Sequence, residues 1–461
     1  MADYQLLVIG AGPGGYVAAL QAAGHGLRVA VIENREVGGT CLNRGCIPTK
    51  TLLYSSELVA AARNGEKFGV HGESVSFDLP AIFARKREVS AKLSGGIEAM
   101  FKSAKVELLR GRGTVLGSGR VRLESEEGER IVTADSILLA TGSVPARPPV
   151  PGFELPGVLT SDELLEGSER LYESLIIIGG GVIGVEFATF YAALGCRVTI
   201  LEGMDRLLPT LDRELGRNLA MILKKRGVEV YTSAMVSAVE REEDGLRVCF
   251  SSKNQELTVS GEAVLCAVGR RPCTEGLLAE GLSPEMNGRS IRVDENYQTS
   301  LPGVYAVGDV SARIQLAHVA SAQGRDFAER LCGGQGKTDL NAVPNCIYCV
   351  PEIACVGRTE EEAKAAGAEP VVGKYVMFSN GKTVIRDGDR GFMKIVADRS
   401  NHKIIGAQFM CDHAADMISE MTGAVTLGLT VEQLLSVMHP HPTFEEGLQD
   451  ALEDLLARLN K

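Results

Sequence analysis

The sequence predicts an α/β protein, with two Rossmann-like dinucleotide-binding domains followed by a C-terminal α+β domain. Three observations carry this. Gly10-Ala11-Gly12-Pro13-Gly14-Gly15 follows an apolar run from Gln5 and opens a helical pattern. Gly179-Gly180-Gly181-Val182-Ile183-Gly184 repeats the arrangement behind Leu175-Ile176-Ile177-Ile178. Beyond Asp339 the texture changes to alternating strands (Cys346 to Val350, Gly373 to Met377, Phe392 to Ala397, Ile404 to Phe409) and two helices. With 461 residues the chain exceeds one ordinary core. The expected limits are 1–145 and 146–270 for the nucleotide domains, 271–341 for a return segment that completes the first, and 342–461 for the last domain. Prolines at 145, 148, 149, 151 and 156 mark the first boundary.

Composition narrows the function classes. The net charge is −11 with both signs interspersed, so nothing marks a nucleic-acid surface. Eleven cysteines scattered over a long chain do not make the dense framework of a small secreted domain. Together with an N-terminus that lacks a basic region and a cleavage site, they predict a cytoplasmic protein. The most membrane-like stretch, Leu175 to Ala193, is interrupted by Gly179-Gly180-Gly181 and Glu186, which suits strand, turn and helix rather than a membrane span.

The first strand and glycine turn form a dinucleotide fingerprint. Gly10 permits the tight turn, Gly12 lets backbone approach a pyrophosphate, and Gly15 lets helix and strand pack closely. A second strand, Arg28 to Ile32, delivers Glu33, at the distance expected of a carboxylate that binds a ribose hydroxyl. In the repeat, Gly179, Gly181 and Gly184 take the same places and the strand from Arg197 delivers Glu202. An acid there favours NAD, because a 2′-phosphate would be repelled; Arg206, four residues on, tempers this unless it is a solvated helix residue.

Between the two lies Gly38 to Lys50, where Cys41 and Cys46 sit five positions apart in a glycine-flanked turn leading into a helix. A thiolate at a helix start is stabilised by free N–H groups and the dipole, which suits redox exchange. The bland readings are two unpaired buried cysteines or half of a zinc site, and zinc would need two more nearby ligands. Helical patterns then run to about Asn64 and from Leu79 to Phe101. A β excursion from Gly111 to Gly142 ends in a strand, Ile137 to Ala140, that returns to the first sheet.

After the second fingerprint, Ala263 to Val268 with Gly269-Arg270-Arg271-Pro272 echoes Ala140-Thr141-Gly142. Ala306-Val307-Gly308-Asp309 ends a strand in an acid before a helix from about Gln315, as a second cofactor contact or as a plain helix cap. Cys346 and Cys349 form C-x-x-C, but within a strand and without a partner pair, so no metal site is expected. In His439-Pro440-His441-Pro442-Thr443-Phe444-Glu445-Glu446, a histidine beside a carboxylate is what a thiol needs as base and orienter, or the segment is a capping turn.

With those residues in view, the chain resembles the flavin-dependent pyridine-nucleotide–disulfide oxidoreductases from residue 4 to about residue 455. The resemblance implies FAD at the first fingerprint, NAD at the second, and a homodimer made by the last domain, whose His/Glu pair serves the partner's disulfide. Cys41 becomes the outer thiol that exchanges with substrate and Cys46 the thiol against the flavin, with Lys50 and Glu186 paired near the ring. Glu33, Thr40, Asp309 and Ala317 would hold FAD, and Gly113 would meet the adenine through backbone. Glu202, Val236 and Gly269 would line the NAD site, with His441 as acid–base and Glu446 as its orienter.

Relatives that reduce glutathione carry arginines where this chain has Glu202 and its neighbours, and mercuric reductases add a C-terminal cysteine pair where this chain ends Leu459-Asn460-Lys461. Leu316-Ala317-His318 and Cys46 to Lys50 look like the lipoamide branch. That branch implies oxidation of protein-bound dihydrolipoamide by NAD, through a Cys41–Cys46 disulfide, within a 2-oxoacid dehydrogenase or glycine cleavage complex. Cys411-Asp412-His413 departs from a common glycine-proline-histidine turn. The rival readings are an NADH oxidase or diaphorase, which would not require His441 and Glu446, and a docking subunit.

Overall fold

The computed structural model describes residues 2–72, 74–167, 170–311, 314–336 and 338–461. Its first sheet is built around Tyr4–Ile9, flanked in parallel by Val29–Glu33 and by the end of the long strand Gly128–Leu139. Glu107–Arg110 extends it on one side and Val304–Ala306 on the other. Arg112–Gly117 and Arg120–Ser125 fold back antiparallel on the start of Gly128–Leu139. The central strand is apolar on both faces because both are covered. Leu6 and Val8 pack with the helix Pro13–Gly24, and Leu7 and Ile9 pack with Val115, Val121 and Leu123 of the antiparallel strands. The return helix Ala317–Leu331 crosses Pro13–Gly24 so closely that a Cβ on Gly324 would meet the Gly14 carbonyl oxygen at 2.3 Å.

The second sheet repeats this plan. Ser174–Ile178 lies between Arg197–Glu202 and Ala263–Cys266, with Glu229–Thr232 and Val158–Thr160 at the edges, all parallel. Leu175 and Ile177 face one core, and Ile176 and Ile178 face the layer made by Ala234–Glu242, Gly245–Ser252 and Gln255–Gly261. Arg206, considered as a helix residue, lies in an irregular turn, where it pairs with Asp205 at 2.8 Å and donates to the Pro209 carbonyl at 3.0 Å.

The third sheet is antiparallel, in the order Asn345–Ile347, Ile353–Gly357, Ile404–Met410, Phe392–Asp398, Pro370–Val376. Helices Ala414–Leu427 and Glu446–Leu459 bury their apolar faces on it. The expected strand from Cys346 to Val350 stops at Ile347, and Ile353–Gly357, which the sequence reading missed, runs back beside it. Three short helices, Glu360–Ala365, Gly381–Arg386 and Val431–Leu435, join the two long ones that were expected. This domain is tied to the second by Lys394 Nζ and Asp212 Oδ2, 2.7 Å apart and nearly buried, by Lys374 with Glu214, and by Arg226 with Asp389. Among the described residues no helix is long and apolar enough to cross a membrane.

Candidate active site

Each fingerprint glycine has one physical job, and the two sets perform it alike. Gly10 and Gly179 have φ of +104° and +109°, and a Cβ on either would strike a carbonyl oxygen, of Ala140 or Ala267, at 2.4 Å. A Cβ on Gly15 would meet the Gly10 oxygen at 1.9 Å, and one on Gly184 the Gly179 oxygen at 1.9 Å. Gly12 and Gly181 are the N-caps of helices Pro13–Gly24 and Val182–Leu194. They face open space: a Cβ on Gly181 meets nothing within 4 Å, and one on Gly12 only Gly39 Cα at 3.9 Å. A diphosphate fits that gap, where free first-turn N–H groups and the helix dipole converge.

The acids are held alike too. Glu33 accepts from Ala11 N at 2.7 Å and Arg35 N at 2.8 Å; Glu202 accepts from Gly180 N at 2.6 Å and Met204 N at 2.7 Å. Backbone donors on both oxygens fix each carboxylate while leaving lone pairs for a ribose hydroxyl. Both acids line one continuous cleft of about 1710 Å³. Single-ligand pockets are roughly 300–1,000 Å³, so this cleft has room for two dinucleotides.

The dithiol lies in the same cleft. Gly38 to Lys50 was expected to be a turn into one helix, and the local structure is two helices. Cys41 sits in the short helix Gly39–Asn43, helical geometry is interrupted at Arg44-Gly45, and Cys46 is the first residue of Cys46–Arg63. As free thiols the two cysteines lie within hydrogen-bonding reach of each other. Their mutual hydrogen bond separates their acidities. It holds Cys41 protonated, well above the ordinary thiol range, and lowers Cys46 to about 7, with the Lys50 ammonium also favouring the Cys46 thiolate. Lys50 Nζ donates to both oxygens of Glu186, at 2.9 and 2.8 Å, joining the thiol helix to the second domain's fingerprint helix.

The remaining expected residues fall in two places. Thr40, Gly113, Asp309 and Ala317 line the cleft toward the first fingerprint, and Val236 and Gly269 toward the second. Asp309 is not a helix cap: the helix Ala317–Leu331 is preceded by Leu316, and Asp309 Oδ2 instead accepts from Ser143 Oγ at 2.6 Å. Burial raises its carboxyl above the usual range, against the pull of that hydrogen bond. His441 and Glu446, by contrast, are not among the residues that line the cleft. His441 is 79% exposed at the side chain, with Nδ1 2.7 Å from Glu446 Oε1. Glu446 Oε2 also accepts from Thr443 N at 2.9 Å. These contacts hold the Glu446 carboxyl below its usual range, the His441 bond foremost. An ionised carboxylate only accepts, so Nδ1 carries the proton and Nε2 is left as a base.

Sequence reasoning missed Ser143, which holds Asp309, and Tyr348, whose backbone N–H donates to Glu186 Oε1 at 3.1 Å. The turn after a strand that returns to the sheet was a signal for Ser143; nothing local pointed to Tyr348. The C-x-x-C cysteines part company: Cys346 lines the cleft and Cys349 is buried in the core.

Two dinucleotide cradles meeting at a dithiol define a disulfide oxidoreductase that works through two nucleotide cofactors. The family described as pyridine nucleotide-disulphide oxidoreductase matches residues 4–324, and its dimerisation domain matches residues 343–452. The chain belongs to this family. It is a homodimeric flavoprotein oxidoreductase with FAD and NAD as cofactors. It is 38% identical over 463 residues to a dihydrolipoyl dehydrogenase of Bacillus subtilis (strain 168), covering 97% of each chain. To the dihydrolipoyl dehydrogenase of Thermus scotoductus it is 39% identical, covering 99% of this chain and 98% of that one. Among solved structures, LpdA from Mycobacterium tuberculosis superposes with a TM-score of 0.89 at 30% identity, over 97% of this chain and 99% of that one. The HOCl-induced flavoprotein disulfide reductase RclA from Escherichia coli gives 0.86 at 30%, over 98% and 99%.

Proposed function

We propose that the protein oxidises dihydrolipoamide carried on lipoyl-bearing proteins, with NAD as acceptor, as the flavoprotein component of a 2-oxoacid dehydrogenase or glycine cleavage complex in the cytoplasm. The observation that carries this reading is the dithiol itself. Two thiols of opposed acidity open onto a cleft that both fingerprints line. Relatedness of 38–39% to dihydrolipoyl dehydrogenases over nearly the whole chain supports the substrate.

In the first step the partner subunit's His441 takes a proton from one substrate thiol, and the resulting thiolate attacks the outer sulfur, Cys41, of the disulfide. The S–S bond breaks and Cys46 leaves as a thiolate. The second substrate thiol then closes the lipoyl disulfide, releasing Cys41, which takes up the proton. When bound, FAD would supply the two-electron relay between this dithiol and NAD, held beside Cys46 by the first fingerprint. Glu186 fixes Lys50, whose charge favours Cys46 as the departing thiolate. Glu446 keeps His441 in the tautomer that presents Nε2. Glu33, Thr40, Gly113, Asp309 and Ala317 would hold FAD, and Glu202, Val236 and Gly269 NAD, with domain limits at 145, 270 and 341.

A second reading is favoured by the likeness to RclA: a reductase that uses the same groups in reverse to reduce a disulfide. One panel separates them. Free dihydrolipoamide and lipoylated proteins are offered with NAD and NADP, and glutathione disulfide with NADH and NADPH. Rapid NAD reduction by the reduced lipoyl substrates is expected. Turnover confined to a disulfide with a reduced nucleotide would replace the first reading with the second.

A further inference from the structure

Lys50 is held by more than its carboxylate. Its ammonium, bonded to both oxygens of Glu186, also lies 4.7 Å from the centroid of the Tyr348 ring. The Tyr348 backbone N–H donates to the same carboxylate at 3.1 Å. One residue of the C-terminal domain therefore touches both members of an ion pair that joins the first two domains. Its place is enforced by its neighbours. Ile347 ends the strand paired with Ile353–Gly357, and Ile347 and Cys349 are both buried, so Tyr348 between them faces the cleft it lines.

We propose that Tyr348 is a positioning residue for the thiol chemistry: its ring face holds the Lys50 ammonium where it stabilises the Cys46 thiolate, and its backbone N–H holds the Glu186 carboxylate that pairs with Lys50. The inference rests on the reading of Cys46 as the inner thiol. A lysine ammonium on a flexible stem is drawn toward Glu186 alone unless something else locates it. A second carboxylate would do so at the cost of cancelling the charge, whereas an aromatic face attracts the cation and carries none. Burial pushes the Tyr348 hydroxyl up to about 12, so the ring stays neutral throughout the working range. The charges whose field reaches Cys46 are those of Lys50 and Glu186, with Cys41 hydrogen-bonded to it, and the field at Tyr348 comes from Cys346, Glu352, Glu186 and Asp416. Lys50 is the cation among them, and displacing it leaves the field to the acids.

The test uses Cys41→Ser holoenzyme, in which Cys46 is the lone thiol of the pair, and follows the long-wavelength thiolate–flavin band against pH. Adding Tyr348→Leu is expected to raise the midpoint by about 0.4–1 pH unit, the size of one cation–π contact. Tyr348→Met, which fills similar space without a ring, is expected to match it, and Tyr348→Phe to stay near the parent. The rate of Cys46 alkylation by iodoacetamide against pH gives the same midpoints without relying on flavin absorbance. An unshifted midpoint in both the Leu and Met variants overturns the inference, as does a Phe variant that shifts as far as they do. No band at all in Cys41→Ser itself would instead overturn the assignment of Cys46, and the inference with it.

Discussion

From Tyr4 to Glu33 and from Ser174 to Glu202 the chain makes the same object twice, with matched glycines and matched acids, and then the two halves diverge. After Glu33 it runs into the paired helices that carry Cys41 and Cys46. After Glu202 it enters an irregular turn without a thiol, closed by Arg206 on Asp205 and the Pro209 carbonyl. The closing strands differ as well. The first sheet takes its last parallel strand, Val304–Ala306, from far downstream, and the second takes Val158–Thr160 from upstream. The nucleotide cradle is thus a local unit, and both chemistry and closure are added by what surrounds it.

The widest test of that likeness is the same lesion in each half. Gly15→Ala and Gly184→Ala each place a Cβ at 1.9 Å from a carbonyl oxygen, a clash that must move the backbone. Overpacking of this kind costs roughly 1–3 kcal/mol or more. Gly15→Ala should lose flavin and all activity, and Gly184→Ala should keep flavin, by its absorbance ratio, while losing reduction by NADH. Equal flavin loss in both would erase the functional distinction between the halves.

The thiols mark where the halves differ. Cys41→Ser and Cys46→Ser should each abolish dithiol turnover while FAD stays bound, because in the proposed assignment the glycine turn and Glu33 would hold the cofactor without either sulfur. Cys41→Ser should show a long-wavelength band and Cys46→Ser none; reversed spectra would exchange the inner and outer assignments. In the reduced wild-type enzyme the Cys46 acidity lies near 7, below its ordinary value of 9.0, chiefly through the hydrogen bond with Cys41 and next through Lys50. The thiolate therefore persists between the two values, and the band should grow as pH rises through about 7 and fade below it. A midpoint near 9 would remove the stabilisation argued for it.

Smaller effects belong to groups outside the cradles or shared by them. His441→Gln should slow dihydrolipoamide turnover by about 10²- to 10⁴-fold, the usual worth of a positioned base, while NADH still reduces the flavin rapidly in stopped flow. Slowing of both half-reactions would place His441 in the flavin site rather than the dithiol step. Glu202→Gln should cut the preference for NADH over NADPH by about tenfold, or about 1.4 kcal/mol, in kcat/KM ratios. An unchanged ratio would mean that the matched acids do not do matched work. Glu446→Gln should do least, a loss smaller than that of His441→Gln in the same assay.

Much of this site was legible because its parts are short in sequence. His441 and Glu446 are five residues apart, as are Cys41 and Cys46, and each fingerprint lies within six. The helical form of Gly39–Asn43 was hidden, since glycines at both ends read as a turn. The strand Ile353–Gly357 was hidden too, because Pro351 and the run Glu352-Ile353-Ala354 carry no clear alternation.

What the sequence determined by itself is whatever neighbouring residues settle among themselves: a positive φ that calls for glycine at Gly10 and Gly179, an acid at a strand end, a thiol at a helix start. The tertiary structure alone decided what depends on chain segments meeting from afar. Lys50 reaches Glu186 across 136 positions, Tyr348 reaches it across 162, and Ser143 finds Asp309 across 166. Such contacts follow from which sheet closes on which and which domain covers the cleft. Apolar periodicity indicates that a strand is buried without naming the strand beside it, so these partners become readable only when the layers are stacked.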